Sequence, residues 1–191
     1  MAEIQSLNEQ AQIENYQNEV KLLDGIPARW QGTPIEKFIL AHNKGQQFET
    51  VGIPELMIVT CIDYRINLRL PEHFAFVLRR AAASLSGLEF NLSYALSKGV
   101  EHLAILAHSD CAMTRVSDHR APILNELIRH GWQEPHAESF VDEQAEHYAI
   151  AGELDALRSE SKRISCMFNK LEVAPLFLDL EENRIVVPDF R

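Results

Sequence analysis

Short apolar runs alternate with amphipathic segments along most of this chain. Leu56–Thr60 and His102–Ala107 are apolar and partly β-branched, and Phe74–Leu78 is a similar run that ends at Arg79 and Arg80. Apolar runs of this length are typical of strands that are buried on both faces. The pattern therefore predicts three buried strands, each followed directly by polar or charged residues.

A helix is predicted from Gly87 to Lys98, between the second and third of these strands. Ser86 and Glu89 have the spacing of a capping box, and Gly99 can end the helix. Four apolar residues share one helical face: Leu88, Leu92, Ala95 and Leu96. Buried strands that alternate with helices predict an α/β fold, with a central, mostly parallel sheet flanked by helices.

Two further helical segments follow the last of these strands. The first runs from Pro122 to His130, is closed by Gly131, and has four apolar residues that we expect to point inward: Ile123, Leu124, Leu127 and Ile128. The second runs from Glu138 to Arg163, and Gly152 is expected to bend or interrupt it. We expect both segments to cover a face of the sheet.

The N-terminus has an amphipathic helical pattern from Ile4 to Leu23, and Gly25 and Pro27 end it. We interpret residues 1–33 as a helical arm and residues 34–191 as the α/β domain. The apolar face of the arm can dock on a partner subunit or pack on its own subunit, and the sequence leaves both open.

Composition and charge narrow the possible partners and the compartment. A chain of 191 residues can bury a core as a single domain without disulfides. Its net charge of −10 argues against nucleic acid or an anionic membrane as a partner. No run approaches the roughly 20 apolar residues of a membrane span, and the first residues do not resemble a secretory signal. The three cysteines are odd in number and favour a reducing compartment, so we expect a cytoplasmic protein.

Cysteine and histidine follow two of the predicted strands. Cys61 comes directly after the first predicted strand, Leu56–Thr60. His108 comes directly after the third, His102–Ala107, and Cys111 lies three residues beyond His108. Ligands of parallel sheets bind beyond the carboxyl ends of the strands. Two thiolates and one imidazole suit tetrahedral zinc, and three protein ligands leave a fourth position open for catalysis. The spacing therefore predicts one catalytic zinc per chain.

Asp63 and Arg65 lie next to the first of these ligands, in the sequence Cys-Ile-Asp-Tyr-Arg. A carboxylate that stays ionised beside an arginine only accepts hydrogen bonds. Asp63 would thus receive the hydrogen of the reacting water and direct its lone pair toward the substrate. Arg65 would also keep Asp63 from moving onto the metal and filling the open position.

Less specific interpretations of the same residues remain open. Cys61, His108 and Cys111 can be ordinary buried residues that bind no metal. They can also form a closed structural zinc site, with Cys166 or Asp63 as the fourth ligand. Otherwise Cys166 is expected to be a buried packing residue. Asp63 and Arg65 can also be a surface ion pair without a catalytic role.

The motif C-x-D-x-R followed by H-x-x-C resembles that of the β-class carbonic anhydrases, from about Pro34 to Arg191. Phe76–Arg79 is similar to the family's F-V-x-R strand, Ser93–Ala95 to part of a family helix, and the stretch from Pro175 to Val187 to its last strand and hairpin. The chain departs from the family in two places. Arg80-Ala81-Ala82 stands where the family usually has N-A-G, and Ala112 stands where it usually has glycine.

The resemblance implies zinc ligation by Cys61, His108 and Cys111 and a catalytic pair formed by Asp63 and Arg65. It implies reversible hydration of carbon dioxide to bicarbonate and a proton, in a homodimer or a higher homo-oligomer. The altered residues 80–82 motivate a second hypothesis, a hydrolase of carbonyl sulfide or carbon disulfide. A third hypothesis is a non-catalytic zinc protein with a role in assembly or regulation.

Overall fold

A six-stranded sheet is the centre of this computed structural model, which describes residues 22–23, 25–49 and 52–190. The helices and strands in these ranges are, in chain order, β1 (Leu22–Leu23), α1 (Pro34–Lys44), β2 (Leu56–Thr60), β3 (Ala75–Arg79), α2 (Glu89–Ser97), β4 (His102–His108), α3 (Arg120–Arg129), α4 (Glu134–Tyr148), α5 (Glu153–Met167), β5 (Glu172–Asp179) and β6 (Arg184–Pro188). Single-turn or irregular 3-10 segments occupy Ala28–Trp30, Ala81–Ala83 and Ala112–His119.

The strand order in the sheet is β1-β6-β5-β4-β2-β3. Strands β3, β2, β4 and β5 are parallel to one another, whereas β6 is antiparallel to β5, and β1 is antiparallel to β6. The predicted α/β class and mostly parallel sheet are confirmed. The carboxyl ends of β2, β4 and β5 meet at one edge of the sheet, and this edge positions the candidate site.

Strands β2, β4 and β5 are mostly buried on both faces, as continuous apolar runs require. The prediction of a buried strand is wrong for β3, because it lies at the edge of the sheet and its Val77 is exposed. Ile58 and Leu106 face α1 and Trp30, while Val59 and Ile105 face α2 and α5. All five residues of β2 are buried. The alternation of side chains along each strand thus divides the core into two layers, one on each side of the sheet.

The predicted helix after β3 forms, but its predicted cap does not. Helix α2 begins at Glu89, and no side chain caps its N-terminus. The Ser86 carbonyl accepts a hydrogen bond from Arg80, and Glu89 pairs with Arg163 on α5 at 2.7 Å. The apolar face is buried as predicted, and the Gly99 N–H donates to the Leu96 carbonyl at the end of the helix.

The expectation that both later helical segments cover the sheet is wrong for the first of them. Helices α3 and α4 pack mainly on each other and on residues 112–119, and α3 has no buried residue. Ile123 and Ile128 are exposed. The second segment is interrupted at Gly152 as predicted, so α4 and α5 are separate helices, and only α5 packs on β4 and β5.

The predicted N-terminal helix lies mostly outside the described residues, which omit residues 1–21 and 24. Its last part is not helical, since Leu22 and Leu23 pair with Pro188 and Val187 of β6. Trp30 is fully buried in the core, and its indole N–H donates to Glu172 at 2.7 Å. These residues therefore pack on their own chain, and the domain boundary at residue 34 stays a prediction.

Candidate metal centre

Cys61, His108 and Cys111 meet at the carboxyl edge of the sheet. Cys61 follows β2 and His108 ends β4, and these strands are parallel neighbours. The ligand atoms of the three residues lie within 4.8 Å of one another, and the residues are only 3%, 1% and 3% exposed. Among the described residues, no other group of His, Cys, Asp or Glu has this arrangement. The three side chains are thus close enough to bind one metal ion.

The hydrogen bonds of His108 leave one ring nitrogen available as a ligand. Its Nδ1 lies 2.9 Å from the Ser109 carbonyl oxygen, so Nδ1 carries the proton and donates it. Nε2 is buried and has no hydrogen-bond partner among the described residues. Buried polar atoms are rarely left unpaired, and metal-binding histidines usually donate from their other nitrogen to an oxygen in this way. The ring therefore fits a metal ligand.

The two cysteines interact closely. A hydrogen bond from Cys111 lowers the pKa of the Cys61 thiol, and the electrostatic effect of the nearby His108 acts in the same direction, although burial opposes both. The pKa of Cys111 is raised, because it shares its proton with Cys61 and is also buried. A thiolate at Cys61 is the form that binds a soft or borderline cation. The chemistry of the donor set fits zinc.

Arg65 holds Asp63 from two sides. Its Nη2 and Nε donate to the carboxylate at 2.7 and 3.0 Å, and its backbone N–H donates at 2.9 Å. These hydrogen bonds lower the pKa of Asp63 to about 2. Both carboxylate oxygens accept from Arg65, so the carboxylate is engaged by the guanidinium, and Asp63 is not one of the three clustered ligand residues.

Asp110 is a member of this network that the sequence patterns did not reveal. Its carboxylate accepts from Arg65 at 2.7 Å and from Arg115 at 2.9 Å, and its carbonyl accepts from Arg65 at 2.8 Å. Its φ is 51°, a conformation that aspartate tolerates better than most residues. Asp110 thus fixes the far side of the Arg65 guanidinium. Its position in the sequence between His108 and Cys111 was the one feature that could have indicated that Asp110 lies near the candidate site.

Two residues that are distant in sequence hold the backbone of the candidate site. Arg79, at the end of β3, donates to the carbonyls of Cys61 at 3.1 Å and Asp63 at 2.6 Å. Glu153, in the first turn of α5, accepts the Cys111 N–H at 3.0 Å. Neither partner follows from local sequence, because each contact joins segments that only the tertiary fold brings together.

The residues that depart from the family pattern take different roles. The Arg80 guanidinium donates to the Tyr148 hydroxyl at 2.8 and 3.0 Å and lies 5.1 Å from the centre of its ring. Ala82 has a φ of 56°, so an alanine adopts the left-handed conformation that glycine adopts more easily. Ala112 has no positive φ, and its side chain therefore adds no backbone strain.

Cys166 does not join the cluster. It is exposed on α5, so the prediction of a buried packing residue is wrong. Free cysteines are often buried apolar residues, but this one lies on the exposed side of the helix. A closed site with Cys166 as the fourth ligand is excluded by this placement, since it is not part of the clustered group.

The arrangement described so far is that of an α/β protein with a Cys-His-Cys group at the carboxyl edge of a parallel sheet. Solved structures with this fold include a β-carbonic anhydrase from Trichomonas vaginalis, at 16% identity and a TM-score of 0.58, covering 85% of this chain and 97% of that one. A carbonic anhydrase from Glaciozyma antarctica aligns at 17% identity and a TM-score of 0.57, covering 85% and 99%. One from Streptococcus mutans aligns at 15% and 0.54, covering 84% and 98%.

The chain therefore has the fold of the β-class carbonic anhydrases, as the sequence motifs predicted. No protein-family model and no curated relative matches the sequence. At these identities the likeness concerns the fold, and the chemistry has to be argued from the residues of this chain. No helix in the described ranges has the length and apolar character needed to cross a membrane.

Proposed function

We propose that this chain is a zinc-dependent carbonic anhydrase, which converts carbon dioxide and water reversibly to bicarbonate and a proton. In this proposal Cys61, His108 and Cys111 hold one zinc ion per chain, and Asp63 and Arg65 form the catalytic pair. The observation that supports it most is the buried, unpartnered Nε2 of His108 within 4.8 Å of two cysteine sulfurs. This donor set lies beside a carboxylate that an arginine keeps ionised.

Zinc, when bound, supplies a Lewis acid that activates water for attack on an electrophilic carbon. Asp63 orients the reacting water, because an ionised carboxylate can only accept its hydrogen. The water oxygen then keeps a lone pair directed toward the carbon of the substrate. Arg65 is a positioning residue that acts through Asp63, and Asp110 in turn positions Arg65.

A stopped-flow assay of carbon dioxide hydration on zinc-replete protein tests this proposal. We expect hydration well above the buffer rate in the wild type, and loss of both zinc and activity in Cys61→Ser. A parallel assay of sulfide release from carbonyl sulfide and carbon disulfide tests the second hypothesis. Sulfide release without hydration would reject carbon dioxide as the substrate, and zinc binding without either activity would favour a non-catalytic protein.

We also infer that the chain assembles as a homodimer or a higher homo-oligomer. β3 is an edge strand of the described sheet, and apolar side chains near it are exposed, including Phe90 at 81% and Tyr94 at 51%. An exposed strand edge beside apolar surface favours association. Light scattering should show an oligomer that Phe90→Glu dissociates and that Phe140→Glu, on α4, leaves intact. A monomeric wild type would contradict this inference.

A further inference from the structure

A cavity of about 390 Å³ lies at the carboxyl edge of the sheet, beyond the turn between β5 and β6. Its walls come from the end of α1, the segment after β2, and this turn. Six residues line it: Asn43, Lys44, Arg69, Glu182, Asn183 and Arg184. None of them belongs to the candidate metal centre.

The charge of this cavity is opposite to that of the chain. Three cationic residues, Lys44, Arg69 and Arg184, and one acidic residue, Glu182, line it, whereas the whole chain has a net charge of −10. None of the three cations forms an ion pair with a described residue. Cations that outnumber the carboxylates around a cavity, and that form no ion pair with them, make it attractive to an anion.

A buried histidine holds two walls of the cavity together. His42 is fully buried, and its Nδ1 accepts the backbone N–H of Arg69 at 3.3 Å. Its Nε2 lies 3.1 Å from the Asn183 carbonyl oxygen and donates to it. One neutral imidazole therefore ties the backbone that carries Arg69 to the backbone that precedes Arg184.

The neighbouring Asn43 fixes the third wall. Its side-chain amide donates to the Ile185 carbonyl at 2.7 Å and accepts the Ile185 N–H at 2.8 Å. The start of β6 is thus joined to the end of α1, next to Lys44. Because these contacts hold the backbone at all three cations, a ligand would meet walls that are already in place, which favours binding.

A second cavity adjoins the first. It has a volume of about 460 Å³ and shares Asn43, Lys44 and Arg184 with the basic cavity. Away from these shared residues its lining includes apolar side chains, among them Ile39, Leu40 and Val187. If the charged group of a ligand lies among the cations, the adjoining cavity has room for a less polar group of the same ligand.

We infer that the basic cavity is a binding site for a phosphate monoester, a ligand class unrelated to the proposed hydration reaction. Two guanidinium groups can each form paired hydrogen bonds with phosphoryl oxygens, and Lys44 adds a compact charge. A dianionic phosphoryl group matches three cations and one carboxylate better than a monoanion does. The adjoining cavity takes the organic group of the ester.

Isothermal titration calorimetry on the zinc-replete, full-length protein tests this site, with inorganic phosphate and phenyl phosphate as probes. We expect one site per chain and tighter binding of phenyl phosphate, because its ring enters the adjoining cavity. The double variant Arg69→Gln/Arg184→Gln should weaken the binding of both probes about tenfold or more, as loss of charge-assisted hydrogen bonds does. Its zinc content should not change, which separates this site from the metal centre.

The matched control is Arg158→Gln/Lys162→Gln, which removes two exposed cations of α5 that do not line the cavity. Equal weakening in this control would overturn the site, since binding would then follow net charge alone. The proposed site would also be overturned if neither phosphate nor phenyl phosphate bound to the wild-type protein. If the double variant does not fold, amide resonances of wild-type Arg69 and Asn183 must shift on addition of phosphate while that of Arg158 does not.

Discussion

At the scale of single residues, the role that we propose for Asp63 depends on the contacts that hold this side chain in place. Its carboxylate is held by Arg65, and its carbonyl accepts a hydrogen bond from Arg79 at 2.6 Å. The segment that carries it is thus anchored to the end of a neighbouring strand. Such anchoring matters because a polar group that orients a reacting water has to be in place before the reaction.

The first prediction concerns the accepting role of Asp63. Asp63→Asn keeps the size of the side chain but introduces an amide that can donate as well as accept, so the side chain no longer forces the reacting water to donate its hydrogen. We expect retained zinc and fold, with hydration slower by on the order of 10²-fold or more. Stopped-flow kinetics and metal analysis measure both. Asp142→Asn, which breaks the exposed pair with Arg120, is the control, and a wild-type rate in Asp63→Asn would reject the catalytic pair.

The second prediction concerns the pH dependence of stability at His42. Burial lowers the pKa of this histidine below its ordinary value of 6.5, and Arg69 acts in the same direction. Below pH 6.5 the unfolded chain therefore takes up a proton that the folded chain resists. The free energy of unfolding should fall as the pH falls from 6.5 toward the lower pKa of the folded state, by up to about 1.4 kcal/mol per pH unit.

Denaturant titrations between pH 8 and pH 5 measure this effect. We expect the pH dependence to become weaker in His42→Gln and to remain in His130→Gln, whose side chain is exposed. His42→Gln should also be less stable at pH 8, because it alters contacts to Asn183 and Arg69. An unchanged pH profile in His42→Gln would contradict this account.

At the scale of elements, residues 81–83 join β3 to the loop before α2 with unusual backbone angles. Ala82 and Ala83 have φ values of 56° and 53°, a region that costs a residue with a Cβ atom roughly 1–2 kcal/mol. The segment nevertheless packs against β2 and β4. Its tertiary contacts therefore maintain a conformation that its own residues do not favour.

The third prediction follows from this strain. Ala82→Gly should raise the free energy of unfolding by about 0.5–1 kcal/mol, because glycine adopts a positive φ without a steric penalty. Ala81→Gly is the matched control: Ala81 has no positive φ, so glycine there should lower stability through chain entropy. Thermal unfolding of both variants provides the comparison. A stability loss in both would show that the angle at Ala82 is not strained.

At the scale of the whole molecule, the candidate metal centre is small compared with the core that surrounds it. The two apolar layers extend over both faces of the sheet, and only Cys61 and Cys111 of the proposed ligands belong to them. A fold with such a core does not depend on metal in the way that a small zinc domain does. Zinc should therefore add to the stability of a chain that already folds.

The fourth prediction is the effect of zinc removal. Chelation should keep the far-UV circular dichroism spectrum but lower Tm by about 5–10 °C, as expected for loss of a ligand present at about 100 times its Kd. Addition of zinc should restore Tm. Cys166→Ala should bind the same amount of zinc as the wild type, since Cys166 is exposed and outside the cluster. A Tm unaffected by chelation would argue against a bound zinc ion.

Much of the fold could be predicted because its signals are local. The strand Leu56–Thr60 has the predicted bounds, and β4 extends the predicted run only by His108. Continuous apolar runs and the interruption at Gly152 are properties of neighbouring residues. The grouping of Cys61, His108 and Cys111 also followed from strand order, because parallel strands end at one edge.

What the sequence by itself determined was the class of fold, the three parallel strands β2, β3 and β4, and which three side chains meet at one edge of the sheet. Only the tertiary structure decided what each apolar face covers: α3 has the predicted pattern, yet it packs on α4 and leaves Ile123 exposed. It also decided the partners of Asp110, Arg79 and Glu153. The physical reason is that periodicity shows which residues share a face, whereas a contact between distant segments depends on how the whole chain packs.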